Sequence, residues 1–209
     1  MFFIHRLAAA MLTMLPLAVS AAANVAELNQ VLLNKSHISF VSKQMGVPVD
    51  GRFKKFSAQI LFDPAKAESG SAQIEVDLAS VDTGSQEADD EVKSKNWFHV
   101  RAHPTARFVS SAVKPLGGSR YEISGKMTIK GRTRDVAAPV TLVQEGGNAT
   151  LEGSFILLRT QFGIGEGPWA DAGTVADEVQ IRFKFVASTM STAATPPVKN
   201  KQIRKESKK

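Results

Sequence analysis

The stretch Val179-Gln180-Ile181-Arg182-Phe183-Lys184-Phe185 alternates strictly between apolar and polar side chains. Successive side chains of an extended strand point to opposite faces, so this period of two sends Val179, Ile181, Phe183 and Phe185 into a core and leaves Gln180, Arg182 and Lys184 in water. On a helix the same residues would be scattered around the circumference. Ala72, Ile74, Val76 and Leu78 repeat the pattern against Gln73, Glu75 and Asp77, and similar runs fall at 38–40, 56–62, 106–110, 121–129, 136–142 and 151–157. This predicts eight strands. Asp63-Pro64, Gly117-Gly118, Lys130-Gly131 and Gly146-Gly147 supply reversals between strands close in sequence, so neighbours should be antiparallel. The class is all-β. Periodicity leaves open whether the strands stack as a sandwich or close as a barrel. A closed sheet of about eight strands has a lumen that is either filled by side chains or left open for one small ligand.

One segment departs from the strand pattern. Residues 86–96 read as a single short helix, with Thr83 and Gln86 at capping-box spacing, Asp89/Lys93 and Glu91/Lys95 four apart, and Pro104 preventing continuation. A second departure is the glycine-rich stretch 161–177, with Trp169 in its middle. Loops of that length in a compact domain often act as lids or mouths.

The formal charge of +6 belongs to two appendages and not to the body. Six cations and one anion lie in 190–209, Arg6 lies in 1–23, and residues 24–189 balance to zero. A neutral body argues against a nucleic-acid surface. Residues 1–23 combine Arg6, an apolar run over 7–19 and Ser20-Ala21-Ala22-Ala23, which predicts a cleaved secretory signal peptide and export to the periplasm. The run is too short, and too interrupted by Thr13 and Pro16, for a membrane anchor. The expected organisation is therefore a signal peptide at 1–23, a domain at 24–188 and a disordered basic tail at 189–209. That tail either keeps the protein soluble or touches anionic membrane. With no cysteine in the chain, disulfides, thiolate metal sites and cysteine nucleophiles are excluded.

Catalytic motifs are weak. Asp82-Thr83-Gly84 matches half of an aspartic-protease signature, but only one copy occurs and it doubles as a strand end entering a helix. His99 and His103 are four apart, yet Pro104 biases His103 towards extended backbone, so no metal site is expected. Gly163, Gly165 and Gly167 lack the strand and helix that a phosphate loop requires. No Gly-x-Ser-x-Gly occurs. What remains is an apolar interior in which ten phenylalanines are spread across the body, either an ordinary packed core or the wall of a lumen for a lipid-like ligand.

Several spaced blocks carry a family likeness. Ser36-His37-Ile38-Ser39-Phe40, Gly51-Arg52-Phe53, Phe62-Asp63-Pro64, Ala79-Ser80-Val81-Asp82-Thr83-Gly84, Lys95-Asn96-Trp97-Phe98, His103-Pro104-Thr105-Ala106-Arg107-Phe108 and Gly125-Lys126-Met127-Thr128-Ile129-Lys130-Gly131 follow one another in an order that resembles the YceI-like family over 31–187. The resemblance implies an eight-stranded, lipocalin-like antiparallel barrel with one short helix insertion. It also implies a periplasmic, non-enzymatic protein without metal or cofactor that holds a long isoprenoid or similar amphiphile. Phe162-Gly163-Ile164-Gly165 with Trp169-Ala170-Asp171 is similar to the branch sometimes encoded with membrane cytochrome b561 domains, which implies such a protein as a possible partner. His99 stands where the family more often has Asp, which weakens a paired-histidine metal site.

On that architecture the wall of the lumen is assigned to Ile38, Phe40, Phe53, Ile60, Phe62, Ile74, Val76, Phe108, Ile123, Met127, Ile129, Leu142, Phe155, Ile181 and Phe183. Trp169 would close the mouth, and Arg159 would meet a polar headgroup. The rival reading is an interaction or stress protein whose barrel is filled and binds no lipid.

Overall fold

In the computed structural model, which describes residues 27–189, the stretch 179–185 lies in the last strand. Its alternation is set by neighbours on both sides: Phe183 pairs with Gly153 on one and with Ile38 on the other. The described residues form eleven strands and one α-helix: β1 Leu28–Val31, β2 His37–Gln44, β3 Val47–Phe53, β4 Phe56–Leu61, β5 Ser71–Asp77, β6 Val81–Asp82, α1 Gln86–Lys93, β7 Thr105–Gly117, β8 Arg120–Ile129, β9 Arg132–Glu145, β10 Asn148–Leu158 and β11 Glu178–Thr189. The leader and the basic tail lie outside the described residues, except that β11 runs through Thr189.

All pairings are antiparallel, in the order β4-β5-β7-β8-β9-β10-β11-β2-β3-β6, with β1 also on β11. The all-β class and lipocalin-like curl agree with expectation. The strand count does not. The three extra strands are β1, β3 and β6, and each is hidden for a physical reason. β1 and β6 have four and two residues, too few to show a period. β3 carries Pro48 and Gly51, both depleted in strands. Pro48 is tolerated because beyond β2 this strand pairs only at Arg52 and Phe53, with β6, so the missing N–H faces no ladder.

The sheet curls until its edges approach. At one end, called here the base, Leu28 of β1 and Phe62 just after β4 exchange two backbone hydrogen bonds of 2.9 and 3.0 Å while β1 stays paired to β11. At the other end, the mouth, Lys54 N–H donates to Ser80 O and Asp77 N–H to Lys55 O, each 3.0 Å, across the seam where β3 passes into β4. Asp82 of β6 reinforces that seam by accepting from Arg52 and pairing with Lys54 at 3.2 Å. Hydrogen bonds from Arg52 first, then Lys54, hold its carboxyl below the usual aspartate range. Asp82 is therefore a clamp at the seam.

Helix α1 is shorter than predicted, ending at Lys93 and not at residue 96. Its cap is Ser85, whose hydroxyl accepts from Ala88 N–H, in place of Thr83. Thr83 instead donates both its N–H and its hydroxyl to the buried carboxylate of Asp89 at 2.8 Å. With Asp89 turned inward, Lys93 pairs with Asp90. Past the helix the chain doubles back, Phe98 N–H donating to Val92 O and His99 adopting a positive φ of 52°.

Three strand glycines have a common role. Gly51 faces Phe40, Gly153 faces Phe183, and Gly125 lies beside Phe108 on the next strand. In each case atoms of the phenyl ring lie against the glycine, in the space a Cβ would occupy. Large rings thus cover backbone and stay folded against the sheet instead of crossing the lumen.

Candidate ligand cavity and its mouth

With the rings held against the wall, the barrel encloses a cavity of about 690 Å³, within the range of small-molecule pockets, about 300–1,000 Å³. Of the sixteen residues assigned to it from sequence, Ile38, Phe40, Phe53, Ile60, Phe62, Ile74, Val76, Phe108, Ile123, Met127, Ile129, Phe155, Trp169, Ile181 and Phe183 border it. Leu142 does not. It is buried in the apolar cluster at the base, with Leu28, Tyr121, Ala149 and Phe185. Sequence reasoning missed Val49, Trp97, Phe98, Val113, Tyr121, Leu151 and Val175, which also line the space. Tyr121 and Leu151 lie on the inward phase of strands, so the period of two was their signal, whereas Val113 is turned inward by a bulge between Ser110 and Ala112 that breaks the phase set by Ala106 and Phe108. Val49, Trp97, Phe98 and Val175 come from irregular or proline-bearing segments that carry no period.

The wall changes character along its length. Towards the base, Phe62 packs edge-on to Tyr121 with ring centroids 5.0 Å apart. Midway, Phe40, Phe53 and Phe98 form a ladder at 5.6 and 6.1 Å. At the mouth the lining turns polar: Ser42 and Gln44 from β2, Thr83 and Ser85 before α1, and Glu87 and Glu91 on α1. Gln44, Ser85 and Glu87 are exposed, so the cavity reaches solvent here.

The loop between β10 and β11 roofs that opening, and Arg159 organises it. Its side chain is 1% exposed, and all five N–H groups donate to loop carbonyls: Nε to Ala176 O, Nη1 to Ile164 O and Gly165 O, Nη2 to Trp169 O and Val175 O, at 2.7–3.1 Å. Burial lowers the guanidinium pKa while the charges of Asp177 and Asp171 raise it; the group stays cationic. The headgroup role that sequence assigned to Arg159 is corrected accordingly, because a guanidinium with all five donors engaged has none left for a ligand. Its work is to hold the roof.

Two further ties seat the roof. Trp169 packs at a tilt against Trp97, ring centroids 5.7 Å apart, and its Nε1 donates to Glu91 Oε1 at 2.8 Å, joining loop to helix. Glu166 bridges Lys130 of the β8–β9 turn and Arg132 at the start of β9, 3.0 Å to each, and Lys130 also donates to Gly163 O. The Lys130 hydrogen bond, with help from Arg132, holds the Glu166 carboxyl below the usual range. A depressed carboxyl pKa contributes stability that is present at neutral pH and lost as pH falls below the usual carboxylate range. The expected result is that acid loosens the roof. Trp169 fluorescence should change in acid before global unfolding, Glu166→Gln should remove that step, and the cost should be under about 1 kcal/mol because Glu166 and Arg132 are each half exposed.

The histidines stand apart from this site. His99 and His103 meet edge-on at 5.8 Å, and no cluster of three or more metal-ligating side chains occurs among the described residues.

Comparisons with known proteins agree with this architecture. The YceI-like domain matches residues 30–187. A UPF0312 protein of Azotobacter vinelandii is 31% identical over 137 residues, covering 63% of this chain and 69% of that one. The crystal structure of Burkholderia cenocepacia BcnA is 51% identical, covers 76% of this chain and all of that one, and superposes with a TM-score of 0.75. A polyisoprenoid binding domain from Saccharophagus degradans, implicated in plant cell wall breakdown, shares the fold at 14% identity, with a TM-score of 0.59 over 79% of this chain and 99% of that one.

Proposed function

The chain belongs to the YceI-like family, and on that premise we propose that it is a periplasmic binding and carrier protein that holds one long amphiphile in its lumen. The ligand class is a polyisoprenoid, an isoprenoid quinone or a fatty-acyl lipid. The observation that carries this reading is the cavity of about 690 Å³ with a wall of aliphatic and aromatic side chains and a polar rim at its mouth. A filled barrel would leave no such space. Burial of a chain contributes about 0.8 kcal/mol per CH₂, so ten carbons supply about 8 kcal/mol towards the costs of association. The headgroup sits at the rim formed by Ser42, Gln44, Thr83, Ser85, Glu87 and Glu91.

Further support comes from several sources. The related fold in Saccharophagus degradans is a polyisoprenoid binding domain. The apolar run and small-residue site at 1–23 support export. The cations of 190–209 support a contact with anionic membrane. The likeness at 162–165 and 169–171 supports a membrane cytochrome b561-type partner. No step of this reading is catalytic.

Organic extraction of the protein purified from its native host, followed by mass spectrometry, is expected to release one amphiphile per chain. Repeated absence of any stoichiometric lipid would overturn the carrier reading in favour of a structural or interaction role.

A further inference from the structure

The turn between β2 and β3 departs from what its geometry prefers. Met45 and Gly46 both have positive φ, 47° and 79°, at the centre of a two-residue hairpin. Such turns favour Asn or Asp before Gly, since those short polar side chains tolerate the left-handed region. Here that position holds a large apolar residue, and it projects into water. Met45 is 74% exposed and Val47, just beyond, is 63% exposed, the two highest values among the exposed large apolar side chains of the described residues. A tip that gives up both turn preference and solubility has a partner in view.

Its position identifies that partner. Gln44, the residue before Met45, borders the cavity at its polar rim. Met45 N–H donates to Thr174 O at 2.9 Å, and Gln44 bridges Val175, so the tip is fastened to the roof loop over the opening. The nearest charges on the two strands, Lys43 and Asp50, oppose each other in sign. Apolar burial, and not attraction to anionic headgroups, is therefore what the tip offers.

We propose that the Met45–Gly46 tip is a bilayer-docking element: Met45 and Val47 enter the acyl boundary of a phospholipid membrane and set the cavity mouth against it. An amphiphile then passes between membrane and lumen without exposing its chain to water. This rests on the carrier reading for its purpose, while the membrane contact itself can be tested separately. The tip also lies at the opposite end of the barrel from the base, where β11 delivers the chain into the basic tail. An apolar contact of the tip and an electrostatic contact of the cations in 190–209 are separable by salt.

The native chain has no cysteine, so Met45→Cys in the full chain can carry a single environment-sensitive fluorophore. With vesicles of phosphatidylethanolamine and phosphatidylglycerol, its emission is expected to shift to the blue in both low and high salt. The same label on Glu145→Cys, at the base, should stay silent in high salt, where an electrostatic contact of the basic tail is screened. Met45→Asn with Val47→Thr should weaken vesicle association about tenfold or more. Its melting temperature should hold or rise, because Asn-Gly suits the turn. No association by the unsubstituted chain, a silent label at 45 while protein co-sediments, or unchanged association of the double variant would each overturn the proposal. Lipid recovered by extraction with a silent tip defeats the tip alone; a responsive tip on a protein that never yields lipid defeats the carrier reading alone.

Discussion

Arg159→Met is expected to lower stability by about 3–5 kcal/mol, measured as a drop in urea midpoint at unchanged slope. Met keeps an unbranched apolar stem and lacks the planar guanidinium, so the hydrogen bonds dominate the loss. What disappears is five N–H donors at once, from carbonyls of which Ile164, Gly165 and Val175 belong to buried residues. Each buried carbonyl left unpaired costs about 1–3 kcal/mol, and water relieves part of that at the surface of the loop. Arg159→Lys should recover little, because an ammonium has three donors and no planar fork. The consequence for function follows from the same bonds. The roof includes Trp169, so the variant should release bound amphiphile faster even where it stays folded.

Gly153→Ala is the second large effect, with Gly51→Ala as its informative counterpart. At Gly153 a Cβ would overlap both the Pro139 carbonyl oxygen and the Phe183 ring, the latter at 2.5 Å. A carbonyl in a ladder has nowhere to go, so β9 and β10 must part; the cost should reach about 3 kcal/mol, at the upper end for overpacking. At Gly51 all three nearest atoms belong to the Phe40 ring, two of them at 2.7 and 2.8 Å. That ring can swing, and the space available to it is the lumen. Gly51→Ala should therefore fold at a smaller cost, about 1 kcal/mol, yet hold less lipid by extraction. Adding Phe40→Ala should restore capacity, a rescue that a simple loss of stability would not show.

The inward face of the barrel was legible because alternation is a local property. Wherever Ile74, Val76, Phe108 or Phe183 alternated with charged neighbours, the strand's own geometry assigned the face, and those residues border the cavity. Leu142 had the correct phase but sits at the base, since period says which face a residue takes and nothing about how far along the barrel the lumen extends. Val49 was illegible for the opposite reason: Pro48 and Gly51 conceal a strand whose partners excuse them.

Arg159 shows a second limit. Its isolated charge beside a glycine-rich loop read naturally as a ligand contact, because sequence displays a donor without displaying what has taken its hydrogen bonds. Those acceptors are carbonyls 5 to 17 residues away, brought together by a loop that has no repeat. The helix cap moved on similar grounds, when Thr83 found the Asp89 carboxylate and left that role to Ser85.

By itself, then, the sequence determined the all-β class, the antiparallel neighbours, the single helix, the neutral body and which side chains face inward, all of them consequences of spacing along a few residues. Only the tertiary structure decided that the interior is open and not filled. That outcome depends on phenyl rings from one strand lying over glycines of the next, and on an arginine closing a loop over the mouth. Both are contacts between residues whose separation in the chain carries no periodic trace, and whose meeting exists only after the sheet has curled.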